Sequence, residues 1–297
     1  MSSYPLIFDY KENIRYKKTF IELAKQVFQI DFSKWDQLGC WSNDYICYSF
    51  LDGDKVIANV SINKMDIIFH KKAYKALQLG TVMTHPDYRN RGLSAKLINH
   101  IISKYEHQYN FIYLFANTSV LDFYPKFGFD RMQESSFYMD LSADFHVKGE
   151  NPSNIRKLEV NNSEDFSLMK RLAENRIPVS TICGIKQNNH LLFFYLIEIF
   201  NERTYYFEKE DVIVIYEEIE YELHVYDVIS TYKVDIEVLL PSLSTDEMNK
   251  VVFHFIPDVL KNKRNCKFAE STDVLFIRHA RKSEILQPIL FPITSHA

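Results

Sequence analysis

Between residues 76 and 116 three patterns follow one another that fix much of what this chain can fold into. Ala76 to Thr84 reads as a strand. Leu93, Leu97, Ile98, Ile101, Ile102 and Tyr105 recur at the spacing of one helix face, and Phe111 to Ala116 is a short, continuously apolar run. Strand, helix and strand in that order predict a parallel crossover, whose strands need cover on both faces. Around this unit, residues 12–29 read as an amphipathic helix through Phe20, Leu23, Ala24, Val27 and Phe28. Tyr45–Leu51 and Lys55–Phe69 read as strands joined at Asp52-Gly53-Asp54, a hairpin turn. A short helix over Thr118–Lys126 and a strand pair over Asp130–Leu141 complete the first half. The expected fold class is α/β, a mixed β-sheet flanked by helices.

With 297 residues the chain is long enough for two domains. Charge divides in the same way: residues 1–141 carry 17 Lys and Arg against 15 Asp and Glu, leaving 18 against 24 for residues 142–297. The Ser142–Asn154 stretch, with Gly149 and Pro152, reads as a linker between units at 1–141 and 155–297. In the second half, strands are expected at Ile155–Val160, Val251–Phe255 and Val274–Arg278, and a hairpin over Val212–Ile219 and Tyr221–Ile229. Helices are expected at Glu164–Asn175 and Asp235–Leu243. This order resembles that of the first half, so the second unit is read either as a non-catalytic repeat of the same architecture or as a different α+β cap.

Several function classes are disfavoured. A net charge of -4 argues against nucleic acid as an obligate partner. The longest apolar run, Leu191–Ile199, is broken by Glu198, and the N-terminus lacks a basic region and an apolar core, so neither a membrane span nor a signal peptide is expected. Cys40, Cys47, Cys183 and Cys266 show no metal-ligand spacing and read as reduced thiols; no metal is expected, and the expected location is cytoplasmic.

The segment richest in chemistry is Val82-Met83-Thr84-His85-Pro86-Asp87-Tyr88-Arg89-Asn90-Arg91-Gly92-Leu93-Ser94-Ala95. It leads from a strand end through a turn into the first turn of a helix, where unpaired N–H groups and the helix dipole favour an anion. Only 7 glycines occur in the chain, so Gly92 is expected where the backbone requires one. Neither a Walker loop nor a dinucleotide fingerprint is present. The stretch resembles the acetyl-CoA pyrophosphate loop of the GNAT acetyltransferase superfamily, R/Q-x-x-G-x-G/A, with Arg89, Gly92 and, in the last small position, Ser94. A second segment, Asn117 through Tyr124 to Lys126-Phe127-Gly128-Phe129, resembles the superfamily's later motif.

The resemblance implies an acyl-CoA-dependent N-acyltransferase using acetyl-CoA and no metal. Val82, Met83 and Thr84 would pair their backbone with the pantetheine arm. Arg89, Asn90, Arg91, Gly92, Leu93 and Ser94 would hold the pyrophosphate, and Asn117 the pantetheine chain. Tyr124 would act as the acid that protonates the leaving thiolate. No cysteine lies in either motif, so direct attack by a primary amine in a ternary complex is expected. The acceptor is open: a small molecule or a peptide, with a cationic one suggested by the carboxylates Glu208, Glu210, Asp211, Glu217, Glu218, Glu220 and Glu222. The bland reading of that run is the solvated face of a hairpin. The strand before the loop carries Gln78 and Gly80 where many relatives place a Glu, leaving His70, His85, Asp66, Glu134 or water as the base. A non-catalytic acyl-CoA sensor or scaffold is the rival reading. Monomer and homodimer are both open.

Overall fold

The computed structural model describes residues 4–141, 154–243, 247–258, 265–268, 273–279 and 289–297. The linker expected at Ser142–Asn154 lies outside them, save Asn154. In chain order the elements are β1 (Leu6–Phe8), α1 (Ile14–Phe28), α2 (Ser33–Gln37), β2 (Tyr45–Asp52), β3 (Lys55–Phe69), β4 (Lys72–Thr84), α3 (Leu93–Tyr105) and β5 (Phe111–Asn117). Then come β6 (Asp130–Met132), β7 (Ser135–Asp140), β8 (Ile155–Lys157), α4 (Ser163–Glu174), β9 (Cys183–Gln187), α5 (Asn189–Phe194) and β10 (Thr204–Phe207). The chain closes with β11 (Val212–Ile219), β12 (Glu222–Ile229), α6 (Ile236–Leu243), β13 (Lys250–Phe253), β14 (Asn265–Phe268) and β15 (Asp273–His279).

Local chemistry explains most boundaries. The Asn13 side chain caps α1 by accepting from the Tyr16 amide at 3.2 Å, and Phe20, Leu23 and Ala24 form its buried face. α3 buries the expected face from Leu93 to Tyr105. The β2–β3 hairpin turns at Gly53 with φ of 58°. β4 begins earlier than its apolar run predicts, at Lys72, because His70 and Lys71 form the turn from β3 with φ of 46° and 66°. Neither residue advertises such a turn. Their amides are satisfied by the carbonyls of Ile182 and Thr181, so a distant segment supports the conformation.

Two sheets result, one following β1-β2-β3-β4-β5-β15-β6 with β9 added to β3, the other β14-β7-β13-β12-β11-β10-β8. Each holds one parallel pair, β4 with β5 and β12 with β13. Read from β8, the second order repeats the first, and in each the strand beyond the parallel pair comes from the other half of the chain. The strand pair expected over 130–141 is therefore not a pair. β6 lies against β15 and β7 against β13 and β14, because each finds its apolar partner across the molecule. The Thr118–Lys126 helix is two 3₁₀ turns, Thr118–Val120 and Tyr124–Phe127, separated by residues 121–123, with Pro125 in the first positions of the second turn.

Two buried carboxylates tie the C-terminal segment to this frame. Asp227 on β12 pairs with Arg176, their side chains 0% and 3% exposed, and accepts from the Thr294 hydroxyl. Asp227→Ala strands a buried guanidinium and is expected to cost about 3–5 kcal/mol, read as a fall in Tm. Glu134 accepts from the Phe291 amide at 2.9 Å, and burial pushes its carboxyl up to about 7. A raised folded pKa means that this group's contribution is present below the ordinary value of 4.5 and is lost as pH rises through 7. Glu134→Gln, which keeps the acceptor oxygen, should flatten Tm between those pH values and gain up to about 3 kcal/mol at pH 8.

Candidate active site

β4 and β5 pair only from Ala76–Phe111 to Gln78–Tyr113, and beyond that they splay. β4 also carries a bulge: Thr81 and Val82 stand opposite Val60 alone, and Thr81 takes φ of 47°. The bulge releases backbone groups from the ladder at the fork. A cavity of about 910 Å³ fills the space between the strands, reaching from the N-terminus of α3 to the second half of the chain.

At one end lies the loop. Gly92 begins α3 with φ of 69°, where no side chain caps the helix, and an added Cβ would meet nothing within 4 Å. Asn90 is also left-handed at 61°. Arg91 donates to the Asp87 carbonyl at 2.8 Å and to the Tyr4 hydroxyl at 2.9 Å and lies over the Tyr88 ring, so its guanidinium braces the loop. Arg89 reaches the Thr84 carbonyl at 3.4 Å. The Ser94 and Thr84 hydroxyls meet at 2.8 Å, joining helix to strand. Among the predicted site residues, Val82, Thr84, Arg89, Asn90, Arg91, Gly92, Leu93, Ser94, Asn117 and Tyr124 all line the cavity. Met83 does not. Strand alternation turns its side chain into the core beneath α1, 2% exposed, leaving only its backbone on offer.

Asn117 ends β5 and accepts from the Ser119 amide at 3.0 Å, which leaves its NH₂ as the available donor. Tyr124 opens the second 3₁₀ turn, 5% exposed and packed against Phe123, Phe129 and Phe276. Burial alone pushes its phenol up to about 12, so it holds its proton at neutral pH.

His70, His85, Asp66 and Glu134 are all absent from the described lining. His85 instead accepts from the Asp87 amide at 3.3 Å and orders the loop. The carboxylate run also lies elsewhere. Glu208 meets Arg156, Asp211 meets Arg171, and Glu217 meets Arg203. Sequence reasoning missed the other wall, made by Phe28, Phe32 and Trp35 with Phe194, Tyr195 and Asp273 from the second half. Spacing carries no signal for residues brought together from such distant segments. The tail enters too. His296 stacks on Phe115, and Ala297 sits so close to Gly80 that a Cβ there would meet it at 2.7 Å. No group of metal-ligating side chains occurs among the described residues.

A parallel pair splayed beside a helix N-terminus thus forms the site, and a second parallel pair, β12 with β13, stands in the other sheet. Comparison with known proteins places this arrangement. Residues 14–132 match the family described as "Acetyltransferase (GNAT) domain". N-alpha-acetyltransferase 50 of Danio rerio is 34% identical over 85 residues, 26% of this chain and 51% of that protein, so the match spans about half of the relative. A conserved protein of unknown function from Enterococcus faecalis superposes with a TM-score of 0.59 at 13% identity, covering 94% of this chain and 73% of the other. Eis1 of Mycobacterium abscessus gives 0.56 at 12%, covering 94% and 74%. A GCN5-related N-acetyltransferase of Anabaena variabilis gives 0.54 at 14%, covering 93% and 73%. The match to the GNAT acetyltransferase model is confined to residues 14–132, whereas the fold shared with these structures extends over nearly the whole chain.

Proposed function

We propose that this protein is an acyl-CoA-dependent N-acyltransferase that moves an acetyl group from acetyl-CoA to a primary amine by direct attack. The observation that carries this reading is one cavity lined by both the open N-terminus of α3 and the buried Tyr124. The loop from Arg89 to Ser94 supplies N–H donors and positive charge for a pyrophosphate. Val82 and Thr84 offer backbone to an extended pantetheine arm, and Asn117 offers its NH₂. A backbone N–H at the Thr81–Val82 bulge stabilises the oxyanion formed when the amine nitrogen bonds to the thioester carbon.

As the carbon–sulfur bond breaks, Tyr124 gives its proton to the thiolate, and it regains one, through solvent, from the nitrogen that becomes the amide. On this reading residues 1–141 form the catalytic unit and 155–297 a non-catalytic one that walls the acceptor end, each completed by a strand from the other. No helix among the described residues is long and apolar enough to cross a membrane. The test is release of CoA thiol from acetyl-CoA, which should depend on added amine. Binding of acetyl-CoA without such release, across a broad amine panel, would assign the chain to acyl-CoA sensing instead.

A further inference from the structure

His70, His85, Asp66 and Glu134 stay out of the described lining, but another imidazole enters it. His190, the second residue of α5, lines the cavity from the second half of the chain and is 2% exposed. Its Nε2 lies 2.9 Å from the Asn63 side-chain oxygen. The Asn63 NH₂ donates at 3.4 Å to the carbonyl of Gln78, the last residue of β4 that pairs with β5. That bond turns the Asn63 oxygen toward His190, so Nε2 carries the hydrogen and donates it, and Nδ1 keeps the lone pair. The Trp35 indole donates to the His190 carbonyl at 2.8 Å and holds the backbone in place. This is the fork itself. A Cβ on Gly80 would meet the Asn63 nitrogen at 3.3 Å. Tyr45, whose ring lies 6.2 Å from the imidazole, has its hydroxyl 3.0 Å from that of Thr81 at the bulge. His296, which also lines the cavity, stacks on Phe115 with its Nε2 closed off from solvent.

We infer that His190 is the base of the reaction, its Nδ1 taking a proton from the amine nitrogen as that nitrogen bonds to the thioester carbon. This rests on the acyltransferase reading above and adds a catalytic residue to it. The second unit, still without a co-substrate site, then lends one side chain to the first. Burial alone pushes the imidazole down to about 3, so the ring is neutral at neutral pH and its lone pair is free. A ring so buried does not strip an alkylammonium, and the acceptor therefore enters as the free amine. Once bonded to carbon, its nitrogen is cationic in the same slot, where burial penalises a proton on either nitrogen alike. An imidazole of ordinary value 6.5 is then the acceptor at hand. The imidazolium passes its proton to solvent, from which Tyr124 recovers the one it gave to sulfur. The amine has lost one proton and the thiol has gained one.

The experiment follows CoA thiol release at saturating acetyl-CoA with benzylamine, spermidine and glycinamide, for the wild-type chain, His190→Gln and His190→Gly. Gln keeps a donor for Asn63 and has no basic lone pair. His190→Gln should therefore lower kcat about 100-fold with little change in amine KM, Tm or acetyl-CoA affinity. His190→Gly leaves room for a ring, and added imidazole should raise its kcat by about tenfold or more. Pyrrole, which has the shape and the N–H but no basic lone pair, should restore none. A wild-type kcat in His190→Gln, or equal rescue by pyrrole and imidazole, would overturn the assignment and leave the acyltransferase reading standing. Acetyl-CoA binding by the wild-type chain with no release from any of these amines would defeat that reading, and this base with it.

Discussion

Tyr124→Phe is expected to lower kcat by about 10²–10⁴-fold while leaving acetyl-CoA affinity unchanged. The change removes one oxygen and keeps the ring that packs on Phe123, Phe129 and Phe276, so the 3₁₀ turn and the fold should persist. What disappears is the proton for the departing sulfur. In a slot closed by aromatic rings an unprotonated thiolate is poorly solvated, and collapse back to thioester competes with amide formation. The pH profile adds a second readout. Because burial holds the phenol at about 12, no alkaline fall in kcat should arise from Tyr124 between about pH 7 and 10. Steady-state kinetics on a fixed amine decide this, and an unchanged kcat in the variant would remove the acid role.

The second large effect is expected at Gly92. Gly92→Glu should weaken acetyl-CoA binding by at least about 100-fold. The added side chain has room, since nothing lies within 4 Å of a Cβ there, so it stands in open space at a residue of the cavity lining and does not disrupt the core. A non-glycine residue at φ of 69° costs about 1–2 kcal/mol of strain, which the fold can absorb. The carboxylate then stands at a helix N-terminus that would otherwise receive a pyrophosphate, adding like charge where the site needs an anion from outside. Gly92→Ala carries the same strain without the charge and should bind more tightly than Gly92→Glu. Equal affinities for the two variants would mean that backbone conformation, and not charge, governs the loop.

What was legible in the sequence was local. The β4–loop–α3–β5 unit could be read because its periods, its Pro-containing turn and its glycine lie within about forty consecutive residues. Asn117 and Tyr124 could be placed because their spacing to Gly128 belongs to the same stretch. Illegible were the choices a strand makes among distant partners. The run from Val274 to Arg278 reads as a strand anywhere, yet nothing in it says that it enters the first sheet beside β5 instead of the second. With that choice went the placement of Asp273, just before the apolar run. The turn at His70-Lys71 was hidden for the same reason, since its support comes from Thr181 and Ile182. Likewise the aromatic wall is invisible as a motif, being assembled from α1, α2 and the end of α5.

The most direct test is a calorimetric titration of the folded chain with acetyl-CoA, run beside Gly92→Glu. Binding at one site per chain with micromolar affinity, lost in the variant, is the predicted result. It would place the co-substrate at the Arg89–Ser94 loop and leave the second sheet without a site of its own. No binding by the folded wild-type chain would contradict the account at its centre, and two sites per chain would contradict the non-catalytic role given to the second half.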